Sequence, residues 1–505
     1  GYQGPAGTLG SAGTLGSAGT LGSAGTLGSA GTLGSGYYVE SPFIRDKQGR
    51  ARFFHGVNAV WKLDPYYPPS TLFGTKKSKS YFDARDARFL ARSGLNSVRL
   101  GVLFAGVEPK HGEFDNSYLR KTRRITDLLA KHGVTVMVDF HQDMYHERFE
   151  GEGFPTWSVK DDGVPPTNCC GFPGNYFTPA VRRAFDNLWD NKDGLWDEYR
   201  DAWVHTVARF KDAKNLIGYD LLNEPWPGSQ AETCANPEGC PVFDTEKLQP
   251  FFEHVMAGMR EEDPNGIIWW DANVITNSGA KNNVGLNDPI DPAKNQGISF
   301  HVYCIAGSPS TGIRPGDDPS CGQSQPIAFD NQDAAAERNQ SSLFLTEFGA
   351  SDDVRDIRRV ARLSDQHMVS WHYWHYGEWK DPTTTGTGGA QGMFEDDLDR
   401  PDSLKKRKAR VLIRTYPQAV AGDPTRFRFR PYSERRRFKL VYKTDPAIDA
   451  PTVIYVPVNR HYLGDYDVEI EGPAKVVSRN DPRFLKLDNT GAGKVVVKVA
   501  RPRGN

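Results

Sequence analysis

From Tyr37 onward the chain alternates short apolar runs of strand length with longer amphipathic stretches of helical period. The apolar runs are FFHGVNAVW (53–61), SVRLGVLF (97–104), VTVMVDFHQD (134–143), IGYDLLNEPW (217–226), IIWWDAN (267–273), GISFHVY (297–303), SLFLTEFG (342–349) and VSWHYWHYG (369–377). Between two of them, YLRKTRRITDLLAKHG puts Ile125, Leu128 and Leu129 on one helical face and closes on Gly133, a residue suited to a left-handed cap. Eight such units predict an α/β fold, a (β/α)8 TIM barrel, with its chemistry at the C-terminal ends of the strands. After Pro417 the helical period stops. RFRFRPY, RRRFKLVYK, PTVIYVPV, DYDVEIEG and GKVVVKVA alternate at period two, which predicts a C-terminal β-sandwich domain. The chain therefore divides into 1–36, 37–417 for the barrel and 418–505 for the sandwich. The first segment holds AGTLGS five times between Ala6 and Ser35; such Gly/Ser-rich repetition cannot bury a core and has no signal-peptide pattern, so it reads as a low-complexity linker. SERRR, in the last segment, reads as a solvated strand edge or turn.

Charge narrows the partners. With 62 basic and 63 acidic side chains, nothing suggests electrostatic capture of nucleic acid or of an anionic membrane surface. An aromatic content of 11% suits stacking surfaces of the kind sugars and apolar ligands favour, although most such rings fill cores. No run of about 18 apolar residues is present that could form a spanning helix. The six cysteines lie in Pro/Gly/Asn-rich stretches without paired CxxC motifs. They read as disulfides of a secreted enzyme, with Cys234–Cys240 and Cys304–Cys321 as the short-loop pairings and the adjacent Cys169 and Cys170 as the remainder. Six free thiols in a cytosolic protein is the alternative.

The strand ends carry Lys62, Arg99, His141 and Asp143, Asn223 and Glu224, Asp271 and Asn273, His301 and Tyr303, Glu347, and Trp374. Each alone has a bland reading as a turn or core residue; polar groups at nearly every end are harder to dismiss. An unpaired carboxylate such as Glu224 is costly to bury after an apolar strand, so it needs company. Glu347, after the seventh strand, faces it across the barrel mouth. In retaining glycoside hydrolysis one carboxylate attacks the anomeric carbon and the other protonates the leaving oxygen, and their mutual repulsion raises the pKa of one. Asn223 is then placed to hold a sugar 2-hydroxyl, Tyr303 to orient Glu347, and Arg99 with His141 to keep that nucleophile ionised.

LLNEPWPGS, LTEFGAS, HGVNAVWK, VDFHQD and FHVY together resemble the clan A glycosidases of glycoside hydrolase family five. The extended NEPWPGS, with HQDMYHE and the appended β-domain, resembles the endoglycoceramidases within it, from about Tyr37 to the C-terminus. The resemblance implies Glu224 as acid/base and Glu347 as nucleophile. It implies that Lys62, His141, Asp143, Asn223, His301, Tyr303 and Trp374 hold the sugar next to ceramide, with Trp379 as the rival stacking residue to Trp374. It further implies cleavage between sugar and ceramide in glycosphingolipids, without metal or other cofactor. A monomer making transient contact with lipid micelles or a membrane surface would suffice. The long insertion between Asp143 and Leu195 shapes the cleft and contacts lipid, or merely covers the barrel. Three other readings remain open: a soluble β-glycanase or β-glucosidase of the same family, a non-catalytic carbohydrate- or lipid-binding barrel, and a metal hydrolase built on His141 and Asp143, for which no third ligand has convincing spacing.

Overall fold

The computed structural model describes residues 36–286, 295–306, 314–315, 320–379, 383 and 390–503. The AGTLGS repeats lie outside them. Eight parallel strands, His55–Ala59, Ser97–Val102, Thr135–Phe140, Leu216–Asp220, Ile268–Asp271, Gln296–Val302, Ser342–Phe348 and Ser370–Tyr373, close into a barrel, the eighth pairing with the first. All eight expected runs supply one strand each. Every residue in these strands is buried, as a parallel sheet covered on its outer face and filled inside requires.

Helices Ala84–Arg92, Asn116–Ala130, Leu195–Phe210, Gln249–Glu262, Cys321–Asn339, Val354–His367 and Lys406–Leu412 follow seven of the strands. The fifth strand is followed, among the described residues, by a 3-10 turn at Val274–Ser278. The local signals act as the sequence suggests. Asp115 caps Asn116–Ala130 by accepting from the N–H groups of Ser117 and Tyr118, Ile125 and Leu129 are buried, and Gly133 closes the helix at φ +72°. The floor of the barrel is an apolar plug of Phe54, Met137, Ile217, Ile267, Trp269 and Phe344. Gly297 makes room for it: a Cβ there would lie 2.1 Å from Cζ3 of Trp269.

The C-terminal strands form two antiparallel sheets. One has four strands, Gly422–Phe429, Phe438–Thr444, Lys494–Ala500 and Asp467–Glu471; the other has seven. Four of those seven come from the C-terminal region, Tyr416–Val420, Thr452–Tyr455, Phe484–Asn489 and Ala474–Ser478. The remaining three are Tyr37–Glu40, Phe43–Asp46 and Ala51–Arg52, from the N-terminal end of the segment assigned by pattern to the barrel. Ala51 and Arg52 pair with Val420 and Ala419, while Phe43 and Phe53 join the sandwich core beside Phe427 and Tyr416. Short strands carry no mark of their distant partner, which is why pattern alone does not separate them. Polar contacts tie this body to the barrel: Arg414 pairs with buried Asp365, which also accepts from the Phe429 N–H at 3.0 Å, and the Tyr455 hydroxyl donates to the Arg92 carbonyl at 2.9 Å.

All three disulfides form: Cys234–Cys240, Cys304–Cys321 and the adjacent pair Cys169–Cys170. The last lies in the insertion after the third barrel strand, where Tyr145, Phe154 and Phe185 pack into the main core while Phe172 and Phe177 remain exposed. No described helix is long and apolar enough to cross a membrane.

Candidate active site

Glu224 sits four residues beyond the fourth strand with φ at +42°, a left-handed conformation that costs free energy in a non-glycine residue unless its surroundings hold it. They do. Its N–H donates to Asp271 Oδ2 at 3.0 Å, and Gln142 Nε2 donates to the carbonyls of Asn223 (2.9 Å) and Glu224 (3.2 Å). Glu347 lies inside the seventh strand, where the register against the sixth slips: Leu345 faces Phe300 and Glu347 faces His301, leaving Thr346 as an extra residue. Asn58 Nδ2 donates to the Thr346 carbonyl at 2.8 Å and so holds this irregularity. Bulges of this kind re-aim side chains, and here the slip presents Glu347 at the mouth. One oxygen of Glu224, one of Glu347 and a ring nitrogen of His301 all lie within 4.8 Å of one another.

The two carboxylates have different company. Glu347 accepts from Arg99 Nη1 through Oε1 and from the Tyr303 hydroxyl through Oε2, both at 2.7 Å. Arg99 is completely buried and spreads its fork over Asp220, Asp139, Asn58 and Asn223 as well. Glu224 instead accepts from Asn277 Nδ2 at 2.7 Å, and its Oε1 lies 2.7 Å from His301 Nδ1. Burial, then Asp143, pushes Glu224 up to about 7. Burial also raises Glu347, opposed by His301 and Arg99. Burial holds His301 down at about 4, so its ring is neutral at pH 7.

A second cluster adjoins the first. Lys62 Nζ bonds to Asp143 Oδ2 and to Thr383 Oγ1 (2.8 Å), lies 3.2 Å from Glu152 Oε1, and stands 4.8 Å from the ring centre of Trp374. His141 stacks on that indole at 5.3 Å, with Nδ1 2.8 Å from Asp139 and Nε2 3.5 Å from Asp143. Burial would raise the Asp143 carboxyl, but Lys62 and His141 hold it below the usual range. Trp374 donates to Gln391, whereas Trp379 packs away against Trp61 and His375. The indole facing the cluster is thus Trp374.

Several expected residues sit differently from their expected parts. His141 makes its hydrogen bond to Asp139 rather than to Glu347, so it acts on the nucleophile only through its charge. His301 lies between the two glutamates, its Nδ1 3.5 Å from Glu347 Oε2. Asn223 accepts from Arg99 and donates to the Gln142 carbonyl, both at 3.0 Å, which leaves one amide proton for a ligand. Asp271 supports the Glu224 backbone, and Asn273 caps the following turn and donates to Asp244 at 2.7 Å. Reading strand ends alone misses Asn277, Glu152 and Asn58, and also Asp139 and Asp220. For the last two a signal existed: each is a charge two or four residues before a site residue, at even spacing within an apolar strand.

Glu152 is also the third potential ligand that spacing failed to reveal beside His141 and Asp143. Lys62 already places a cation among these groups, and Glu347 is surrounded by donors that suit an anion, so neither cluster favours a metal.

Residues 63–379 match the cellulase family, glycosyl hydrolase family 5, and residues 414–499 match the family 5 C-terminal domain. The chain belongs to glycosyl hydrolase family 5. Within that family it is 31% identical to endoglycoceramidase I of Rhodococcus hoagii, over 92% of this chain and 88% of that protein. It is 30% identical to an endoglycoceramidase of Hydra vulgaris, over 89% and 86%. Endo-glycoceramidase II from Rhodococcus sp., solved in complex with ganglioside GM3, superimposes with a TM-score of 0.73 at 25% identity, covering 92% of this chain and all of that one. The same enzyme has been solved as its lactosyl-enzyme intermediate.

Proposed function

We propose that this chain, a retaining β-glycosidase that cuts the bond between oligosaccharide and ceramide in glycosphingolipids, uses Glu347 as its nucleophile and Glu224 as its acid/base. The observation carrying this assignment is the pair of carboxylates with oxygens within 4.8 Å of each other and opposite surroundings. Retaining enzymes hold such groups about 5–5.5 Å apart, and inverting ones about 6.5–9.5 Å. Two donors, one a guanidinium, favour the ionised form of Glu347. Glu224, held near 7, keeps a proton to give.

In the first step a Glu347 oxygen attacks the anomeric carbon while the bond to the ceramide oxygen breaks and that oxygen takes the Glu224 proton. The sugar is then an ester of Glu347. In the second step Glu224, now a carboxylate, takes a proton from water as the water oxygen attacks the same carbon and the ester bond breaks. Two inversions leave the β configuration in place. Lys62, His141, Asp143, Asn223 and Tyr303 hold the sugar, which stacks on Trp374.

The leaving-group side supports a lipid. Trp226, two residues past the acid/base, packs edge-on against Phe177 at 5.0 Å and beside Tyr176, and Phe177 and Phe172 extend this strip into solvent. These rings give the ceramide chains an apolar path and the protein a transient hold on micelles or membranes. Three disulfides with no free cysteine suit secretion, and one chain supplies every residue of the site, so a monomer is sufficient. Incubation with a panel of glycosphingolipids should yield intact oligosaccharide and ceramide by mass. Stepwise release of single sugars, or cleavage of soluble β-glucans alone, would favour the soluble glycanase.

A further inference from the structure

The near-neutral total charge conceals a strongly basic groove. Along helix Val354–His367, Arg355, Arg358 and Arg362 fall on one exposed stripe while Ile357, Val360 and Ala361 face the core. On the neighbouring strand Gly422–Phe429, period-two alternation sends Phe427 and Phe429 into the sandwich and turns Arg426 and Arg428 outward, with Arg430 continuing just beyond. The two rows meet where the barrel abuts the sandwich. They enclose a cavity of about 480 Å³, whose lining includes Arg355, Arg358, Arg362, Arg407, Arg428 and Tyr432. Arg428 also borders two adjoining hollows of about 380 and 340 Å³.

Arg355 and the adjacent Arg359 have acidic neighbours, Asp353 and Asp356. Among the described residues Arg358, Arg362, Arg407 and Arg428 have no ion-pair partner. Tyr432 holds two guanidinium groups by its ring face, Arg358 at 4.6 Å and Arg410 at 5.8 Å. Arginine cannot shed its proton to relieve crowding. Burial, then Arg430, Arg362 and Arg426, press the Arg428 pKa below its ordinary value.

We propose that this groove is a binding site for a compact group carrying two or more phosphates. Four unpaired guanidinium groups need about that much charge, since one phosphate monoester carries about −1.5 to −2 at pH 7. A concave pocket between helix and strand suits an entering headgroup better than a flat bilayer. The phosphates belong either to a lipid headgroup in the surface that bears the substrate or to a soluble compound.

Calorimetric titration of the full chain with tripolyphosphate at physiological salt should give saturable one-to-one binding. R358Q and R407Q, both at exposed positions, should each weaken it at least tenfold, with turnover of a soluble activated lactoside unchanged as the control for folding. In the second arm the protein meets phosphatidylcholine vesicles with and without phosphatidylinositol bisphosphate. Retention on the phosphorylated vesicles alone, lost in both variants, assigns a lipid source; tripolyphosphate binding without retention assigns a soluble one. No saturable binding in either arm, binding that both variants keep, or tighter binding of a single-stranded oligonucleotide would overturn the proposal.

Discussion

Two glutamates of the same chemistry differ at the residue scale because one meets a guanidinium and a phenol, and the other meets an amide and a neutral imidazole. The acid must hold its proton before attack, so kcat/KM should fall as pH rises through about 7, the value to which burial and Asp143 lift Glu224. Glu347 must be ionised, and its raised pKa moves the acidic limb above the ordinary 4.5. E224Q should therefore abolish the alkaline limb. It should also slow natural glycolipids by several orders of magnitude, while an aryl glycoside with a good leaving group still forms its glycosyl-enzyme. Equal losses on both substrates, measured side by side, would remove Glu224 from the acid's part.

At the scale of elements, the insertion and the barrel floor make opposite demands on packing. Phe172 and Phe177 are each 41% exposed, a cost in water that contact with lipid would recover. Replacing both with serine should lower kcat/KM on micellar glycolipid about tenfold or more, in line with about 1.4 kcal/mol of lost apolar contact. Turnover of a soluble lactoside should stay within about twofold, and parallel losses would mean that the insertion only covers the barrel. The floor has no such slack. G297A would drive a methyl into Trp269 and should cost about 1–3 kcal/mol in denaturant unfolding.

Across the whole molecule, both ends of the described chain build one sheet. Residues 37–52 contribute three of its seven strands and bring Phe43 and Ala51 to the sandwich core. Their removal should expose that core and the edge of Tyr416–Val420, lowering Tm sharply or giving insoluble protein, although no catalytic group is touched. A deletion of 37–52 that melts with the intact chain would refute this coupling. Asp365 and Arg414 extend it into the barrel, because either one left alone would be a buried unpaired charge.

The sequence by itself determined the eight barrel strands, because parallel strands buried on both faces must be written as unbroken apolar runs. It also pointed to the two glutamates and their neighbours as candidates, since the barrel geometry places chemistry at strand ends. The Gly133 cap was legible too, because a helix end is a local feature. Only the tertiary structure decided what depends on distant residues meeting. It brought Asn277 to Glu224, Glu152 to Lys62, and three N-terminal strands to a C-terminal sheet. It turned Trp374 toward Lys62 and His141 and packed Trp379 against Trp61 and His375. It also gathered arginines that look like scattered solvated charge along the chain into one groove, because total charge does not record which residues share a face.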